Sequence, residues 1–271
     1  MNNLQKLHAH SIFCDGKHSV REMVEFAVAK GFDSIGFSGH SYMPWSVYMS
    51  SRGDKTEEYK NEVKKLKAEY RGEIDIFLGL ECEFYSEVDF EEYDYLIGSV
   101  HYFRFGDEYV AFDRNLDVVK GVIDERFGGD GLLFAKAYYE LVSRLPERGR
   151  YDIIGHFDLI TKNNEIERII DVDSPVYKTA AIEALESLAG KIPFFEVNTG
   201  AIARGYRTSP YPSVELLKEM KRLGFGALIS SDCHDGEMLD CNFEEARRLL
   251  IECGFKERFI LTEKGFKEVE I

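Results

Sequence analysis

LQKLHAHSIFCDGKHSVREMVEFAVAKGFDSIGFSGH, residues 4–40, reads as strand, helix and strand in turn. Two short apolar runs, residues 4–10 and 34–40, each end in histidine, and the stretch between them has helical spacing: Val20, Met23, Val24, Ala27 and Val28 fall on one stripe. Ser19 is placed to cap that helix, with Glu22 completing a capping box and Gly31 supplying the stop. Two strands joined by a helical crossover run parallel. This unit therefore predicts a parallel sheet covered by helices.

The same alternation continues outward. Further strands are expected at residues 74–84, 95–103, 151–158, 193–200 and 225–234, making seven with the first two. NFEEARRLLIECG repeats the helix pattern, with Asn242 as the expected cap, Glu245 three residues on and Gly254 at the end. KTEEYKNEVKKLKAEYRG is charged enough to be an outer, solvated helix. Two stretches rich in aromatics, residues 41–54 and 104–115, lack either period and follow expected strands, where barrel enzymes place active-site loops. They are candidate lids. No repeat, low-complexity tract or linker divides the chain, so residues 1–271 are expected to form a single α/β domain, a seven-stranded TIM-like barrel.

Composition narrows the function. A net charge of −15 lacks the basic stripe that follows a polynucleotide, so long nucleic acid is not an expected partner, whereas a small phosphorylated substrate can be held where bound metal reverses the local field. Five cysteines, odd in number and without a CxxC pair, suit reduced thiols. There is no signal-peptide pattern and no apolar run of membrane-span length. A cytoplasmic protein with no membrane partner is expected; its oligomeric state is open.

The chemistry is concentrated where the strands finish. His8 and His10 close the first strand, His40 the second, Glu81 and Glu83 the third, His101 the fourth, His156 and Asp158 the fifth, Glu196 and Asn198 the sixth, Asp232 and His234 the seventh. In a parallel barrel these ends open on one face, and the period of two puts each i, i+2 pair on the same side of its strand. A single strand-end histidine says little. Imidazoles and carboxylates converging from seven strands suit Zn, Mn, Fe or Co, and without thiolate pairs the site keeps positions open, as catalytic metal sites do.

HAHSIFCDGKHSVREMVEFAVAKGFDSIGFSGHS resembles the first two motifs of the polymerase and histidinol phosphatase (PHP) superfamily, and GLECEF, IGSVHYF, IIGHFD and SSDCHD follow in that family's order over nearly the whole chain. EVNTGAIARGYRTSPYPS and DCHD look most like its histidinol-phosphate phosphatases. The resemblance implies a distorted (β/α)7 barrel holding two or three divalent metals on His8, His10, Asp15, His40, Glu81, His101, His156, Asp232 and His234. In family terms His8, His10, Glu81 and Asp232 would hold one metal, Glu81, His101 and His156 a second, and Asp15, His40 and His234 a third. Asp15 is favoured over nearby His18 because CDG matches the commoner form of the first motif.

The reaction so implied is hydrolysis of a phosphate monoester, L-histidinol phosphate, by a metal-bound hydroxide held by Glu81, His101 and Asp232, with no side-chain nucleophile. The chain offers no GxSxG and no P-loop to suggest another route. Arg204 and Arg207 are candidates to fork onto phosphate. Glu196, Asn198 and Tyr42 are candidates for the rest of the substrate, with Glu83 and Trp45 as further company for its cationic end. A PHP nuclease or nucleotide phosphatase would use the same metals, and a non-catalytic binding protein would be expected to lack a ligand.

Overall fold

In a computed structural model that describes residues 3–46, 48 and 53–271, seven parallel strands form one sheet. They are β1 (Gln5–Lys6), β2 (Ser34–Phe37), β3 (Asp75–Glu83), β4 (Tyr95–Ser99), β7 (Ile153–Ile154), β8 (Phe194–Asn198) and β9 (Gly226–Ser230), in that spatial order. The sheet curls shut beyond the strands: His10 N–H donates to Cys233 O at 2.8 Å, and Cys233 N–H to His8 O at 3.0 Å. All seven expected strands are present, several of them shorter than expected.

Two hairpins were not expected. β5 (Tyr102–Phe105) pairs antiparallel with β6 (Glu108–Ala111), so the stretch 104–115 is mostly a hairpin rather than irregular chain. Gly106 and Asp107 make its turn, Gly106 with the positive φ of 64° that glycine tolerates. β10 (Glu257–Thr262) and β11 (Gly265–Glu270) form the second hairpin.

Helices Val20–Ala29, Thr56–Glu69, Leu116–Phe127, Gly131–Ser143, Pro175–Leu188, Val214–Arg222 and Phe243–Glu252 cover the outside of the sheet. Ser19 and Glu22 form the expected capping box. Asn242 does not cap its helix. It sits at the N-cap position in the left-handed region, φ 54°, where its side chain makes no capping bond and its Oδ1 lies against Cys241 Sγ at 3.3 Å. Thr56–Glu69 is solvated on one face only, since Tyr59, Val63 and Leu66 are buried and the Tyr59 hydroxyl donates to Phe37 O and Gly79 O. Among the described residues no helix is long and apolar enough to cross a membrane.

The barrel has two different ends. Below the strand ends that carry the histidines, Leu7, Phe77, Tyr95, Ile97, Ile153, Leu228 and Leu261 pack as one apolar layer. The β10–β11 hairpin closes this floor, with Gln5 Nε2 donating to Leu261 O at 2.8 Å and Leu261 N–H to Gln5 Oε1 at 2.7 Å. Tyr95 lies across the interior and its hydroxyl donates to Leu7 O. Its ring and hydroxyl occupy the space that a Cβ would take at Gly36 or Gly79. The other end is polar.

Candidate metal centre

Backbone geometry carries the donors into one place. His8 and His10 leave the end of β1 on the same side, and Glu81, in the last turn of pleat in β3, stands between them and the histidines of β2, β4 and β7. Glu81 Oε2 lies 3.4 Å from His8 Nε2, 3.5 Å from His10 Nε2 and 2.9 Å from His40 Nδ1. Its Oε1 lies 2.9 Å from His156 Nε2 and 3.4 Å from His101 Nε2. Asp232 Oδ1 is 3.1 Å from His10 Nε2, and Asp15 Oδ1 is 3.3 Å from His234 Nε2. Asp232 reaches this position with a backbone φ of 43°, in the left-handed region where a non-glycine residue is strained.

Three groups of donor atoms are close enough to share an ion: His8, His10 and Asp232; His40, Glu81 and His101; and His10, Asp15, His40 and His234. Two ligands each ~2.0–2.1 Å from a tetrahedral Zn are separated by about 3.3 Å, the spacing these atoms have. His8 Nε2, His10 Nε2, Asp15 Oδ1 and Glu81 Oε2 are buried without a hydrogen-bond partner, and each faces the cluster. Orphaned buried donors are costly unless something binds them. The residues therefore fit metal ions. All nine donors expected from the sequence lie in this cluster, whereas His18 does not: its Nε2 lies 3.2 Å from Asp235 Oδ1 and its ring packs on Phe26.

A second layer fixes the histidines. Glu196 holds His8 Nδ1 at 2.9 Å and accepts from His156 N–H at 2.9 Å; Glu83 holds His101 Nδ1 at 3.0 Å and accepts from its N–H at 2.8 Å. A carboxylate on the far nitrogen sets the tautomer and aims the other nitrogen at the centre. Asn198 Nδ2 in turn donates to Glu196 Oε1 at 2.8 Å. Burial works against the Glu196 charge, yet His8 beside it draws the carboxyl down to about 2. Burial pushes His10 down to about 3, with His234 and His40 adding to the effect, so its imidazole is neutral and able to bind metal. Burial likewise opposes ionisation of Glu81, and His40, His8 and His101 around it hold it well below the usual carboxylate range.

The cluster opens into a cavity of about 300 Å³ whose far wall is Tyr48, Asp113, Arg114, Asn115, Lys162, Arg204 and Tyr206. Arg204 reaches it, with Nη2 3.0 Å from Asp232 Oδ2. Arg207 turns away: its guanidinium stacks on Tyr211 at 4.5 Å and its Nε donates to Ser209 O at 3.1 Å. Tyr42 lines a separate depression near residues 54–60, and Trp45 stacks on Tyr109 at 3.7 Å. Glu83, Glu196 and Asn198 are buried beneath the histidines and do not line the cavity. Asp158 is also outside it, accepting from Ser213 N–H at 3.1 Å.

The two candidate lids meet through Trp45 on Tyr109, and Ser46 Oγ of the first lies 3.1 Å from Tyr102 Oη of β5. Tyr48 stacks on His40 at 4.6 Å. Residues 47 and 49–52 of the first lid lie outside the described residues. Asp113, Lys162 and Tyr206 were missed at the level of sequence. Asp113 stood in a flagged stretch and Tyr206 between the flagged Arg204 and Arg207, but nothing local marked Lys162.

Comparison with known proteins gives this arrangement a context. A family profile described as "PHP domain" matches residues 6–200. A Deinococcus radiodurans protein named "Probable histidinol-phosphatase" is 27% identical over 94% of this chain and 95% of its own. A "Histidinol-phosphatase" of Lactococcus lactis subsp. lactis is 28% identical over 96% of this chain and 94% of its own. The crystal structure of a histidinol phosphate phosphatase from Lactococcus lactis, complexed with Zn, L-histidinol and phosphate, superposes with a TM-score of 0.72 at 22% identity, covering 98% of this chain and 99% of that one.

Proposed function

This chain belongs to the PHP domain family, and from that premise we propose that it is a metal-dependent phosphomonoesterase that hydrolyses L-histidinol phosphate to L-histidinol and phosphate, a cytoplasmic step of histidine biosynthesis. One observation carries the reading: nine imidazole and carboxylate side chains converge from the ends of six strands and the loop after the first, with buried donor atoms left unpartnered at their centre. Relatives of similar length that carry the histidinol-phosphatase name favour this substrate among the phosphate esters.

His8, His10, Asp15, His40, Glu81, His101, His156, Asp232 and His234 would hold two or three divalent transition-metal ions. Bound there, such ions would acidify water toward a pKa of about 7 and neutralise phosphate charge. The chain's own contribution is orientation. Glu196 and Glu83 accept hydrogen bonds from Nδ1 of His8 and His101, so that His8 Nε2 and His101 Nε2 face the centre. Arg204, anchored on Asp232, presents a guanidinium at the edge of the cluster, where it can fork onto phosphate oxygens. The cavity of about 300 Å³ suits a small ester better than a duplex.

The direct test compares kcat/KM of the metal-replete protein on L-histidinol phosphate, nucleotides and short single-stranded DNA, alongside elemental analysis. Preference for the first and two or three metals per chain are expected; preference for nucleotides or DNA would replace the reading with a nuclease or nucleotidase. Metal counting also decides the ambiguous ligand. Asp15→Ala is expected to lose one metal and His18→Ala none, and the reverse would make His18 the ligand.

A further inference from the structure

We infer that Asp113 receives the ammonium group of the substrate, making the Asp113–Lys162 pair the specificity element on the alcohol side of the cavity. This rests on the proposed phosphatase reading and identifies what selects the alcohol. Three of the four carboxylates lining the cavity, Asp15, Glu81 and Asp232, belong to the donor cluster; Asp113 is the fourth. Glu83 and Glu196, the carboxylates that sequence reasoning offered to the cationic end, are consumed in holding His101 and His8.

Asp113 is also built in place. Lys162 Nζ donates to its Oδ1 at 2.6 Å, the Tyr48 hydroxyl donates to its carbonyl at 3.2 Å, and Asn163 Nδ2 donates to the next carbonyl, Arg114 O, at 3.1 Å. Phe112 N–H, one residue earlier, donates to His101 O at 3.1 Å, tying the turn to a member of the cluster. Lys162 is itself held over the Tyr206 ring at 4.6 Å. A carboxylate offers about four acceptor sites, so one lysine bond leaves capacity for a second cationic donor. Burial opposes the Asp113 charge, but Lys162, with His101 and Arg204 beyond it, holds the carboxyl down at about 2, so it is ionised at neutral pH, where the substrate amine is protonated. Arg204, on the same wall, is anchored on Asp232 of the donor cluster, so phosphate is taken between the cluster and Arg204 and Asp113 remains for the ammonium.

The experiment measures kcat/KM on L-histidinol phosphate and on 3-(imidazol-4-yl)propyl phosphate, the same ester without the amine, for wild type, Asp113→Asn and the charge-balanced double variant Asp113→Asn/Lys162→Met. The wild type is expected to prefer the amine-bearing ester, and both variants to lose that preference by about 10- to 100-fold, mainly through KM, the range for a charge-assisted hydrogen bond. Turnover of the des-amino ester is expected to stay within about two-fold, which reports an intact fold and centre. A wild-type preference that survives both variants, or an equal loss on both esters, would overturn the assignment while leaving the phosphatase reading standing. No turnover of either ester by wild type would overturn both.

Discussion

The mouth and the floor of this barrel are made from the same strands and built on opposite principles. At the mouth, buried polar atoms of His8, His10, Asp15 and Glu81 lack partners and imidazoles and carboxylates crowd together. At the floor, Leu7, Phe77, Tyr95, Ile97, Ile153, Leu228 and Leu261 fill the interior under the β10–β11 hairpin, and Gln5 satisfies the Leu261 backbone on both sides. The mouth therefore costs the apo fold stability that the floor supplies, a division familiar from barrels in which activity sits at the C-terminal face. Substitutions at the two ends should separate turnover from stability.

The widest separation is expected at Glu81, which touches five histidines. Glu81→Gln should lower kcat by on the order of 10³-fold or more, ~4 kcal/mol in the barrier, with little change in the thermal midpoint of the metal-free protein. Turnover near that of wild type would mean the centre lies elsewhere. Leu261→Ala tests the opposite end, where truncation of a buried leucine should cost about 2–5 kcal/mol in urea unfolding and leave kcat/KM within about two-fold. A crippled enzyme of unchanged stability would erase the distinction between the ends.

Smaller effects sharpen the boundary within the mouth. Glu83→Gln keeps the shape but weakens the hold on His101, and a loss of about 10- to 100-fold in metal affinity or activity is expected by titration and steady-state kinetics. An unchanged affinity and rate would reduce Glu83 to filler. Arg204→Ala should raise KM and lower kcat/KM by about ten-fold, ~1.4 kcal/mol, with metal content unaltered. If the metal count drops instead, the Arg204 contact with Asp232 organises the centre rather than the substrate.

Which parts of this were readable from sequence follows from how local the causes are. Strand-end donors were readable because a period of two and one open face decide their direction without knowledge of neighbours. Ser19 and Glu22 were readable because a capping box is complete within four residues. The β5–β6 hairpin carried a local signal in Gly106-Asp107, obscured by the aromatics around it, whereas β10–β11 turns through Glu263 and Lys264 with no such pair at its tip. Arg204 and Arg207 lie three residues apart in one loop, yet one meets Asp232 and the other Tyr211, a difference decided by the fold around them. The separate tasks of Glu81 and Glu83, and the meeting of Asp113 with Lys162, depend on partners brought from distant strands and loops.

The tyrosine laid across the barrel has a historical consequence. Because the Tyr95 side chain fills the space beside both Gly36 and Gly79, these three positions form one heritable unit. A lineage that keeps the ring is bound to keep both glycines. One that trades the ring for a smaller side chain releases Gly79 to drift, and Gly36 too once Leu7 yields, and each alanine then acquired blocks the ring's return. The permitted order of change runs one way, ring first and glycine afterwards, so an alanine at position 79 would mark an ancestor that had lost the ring.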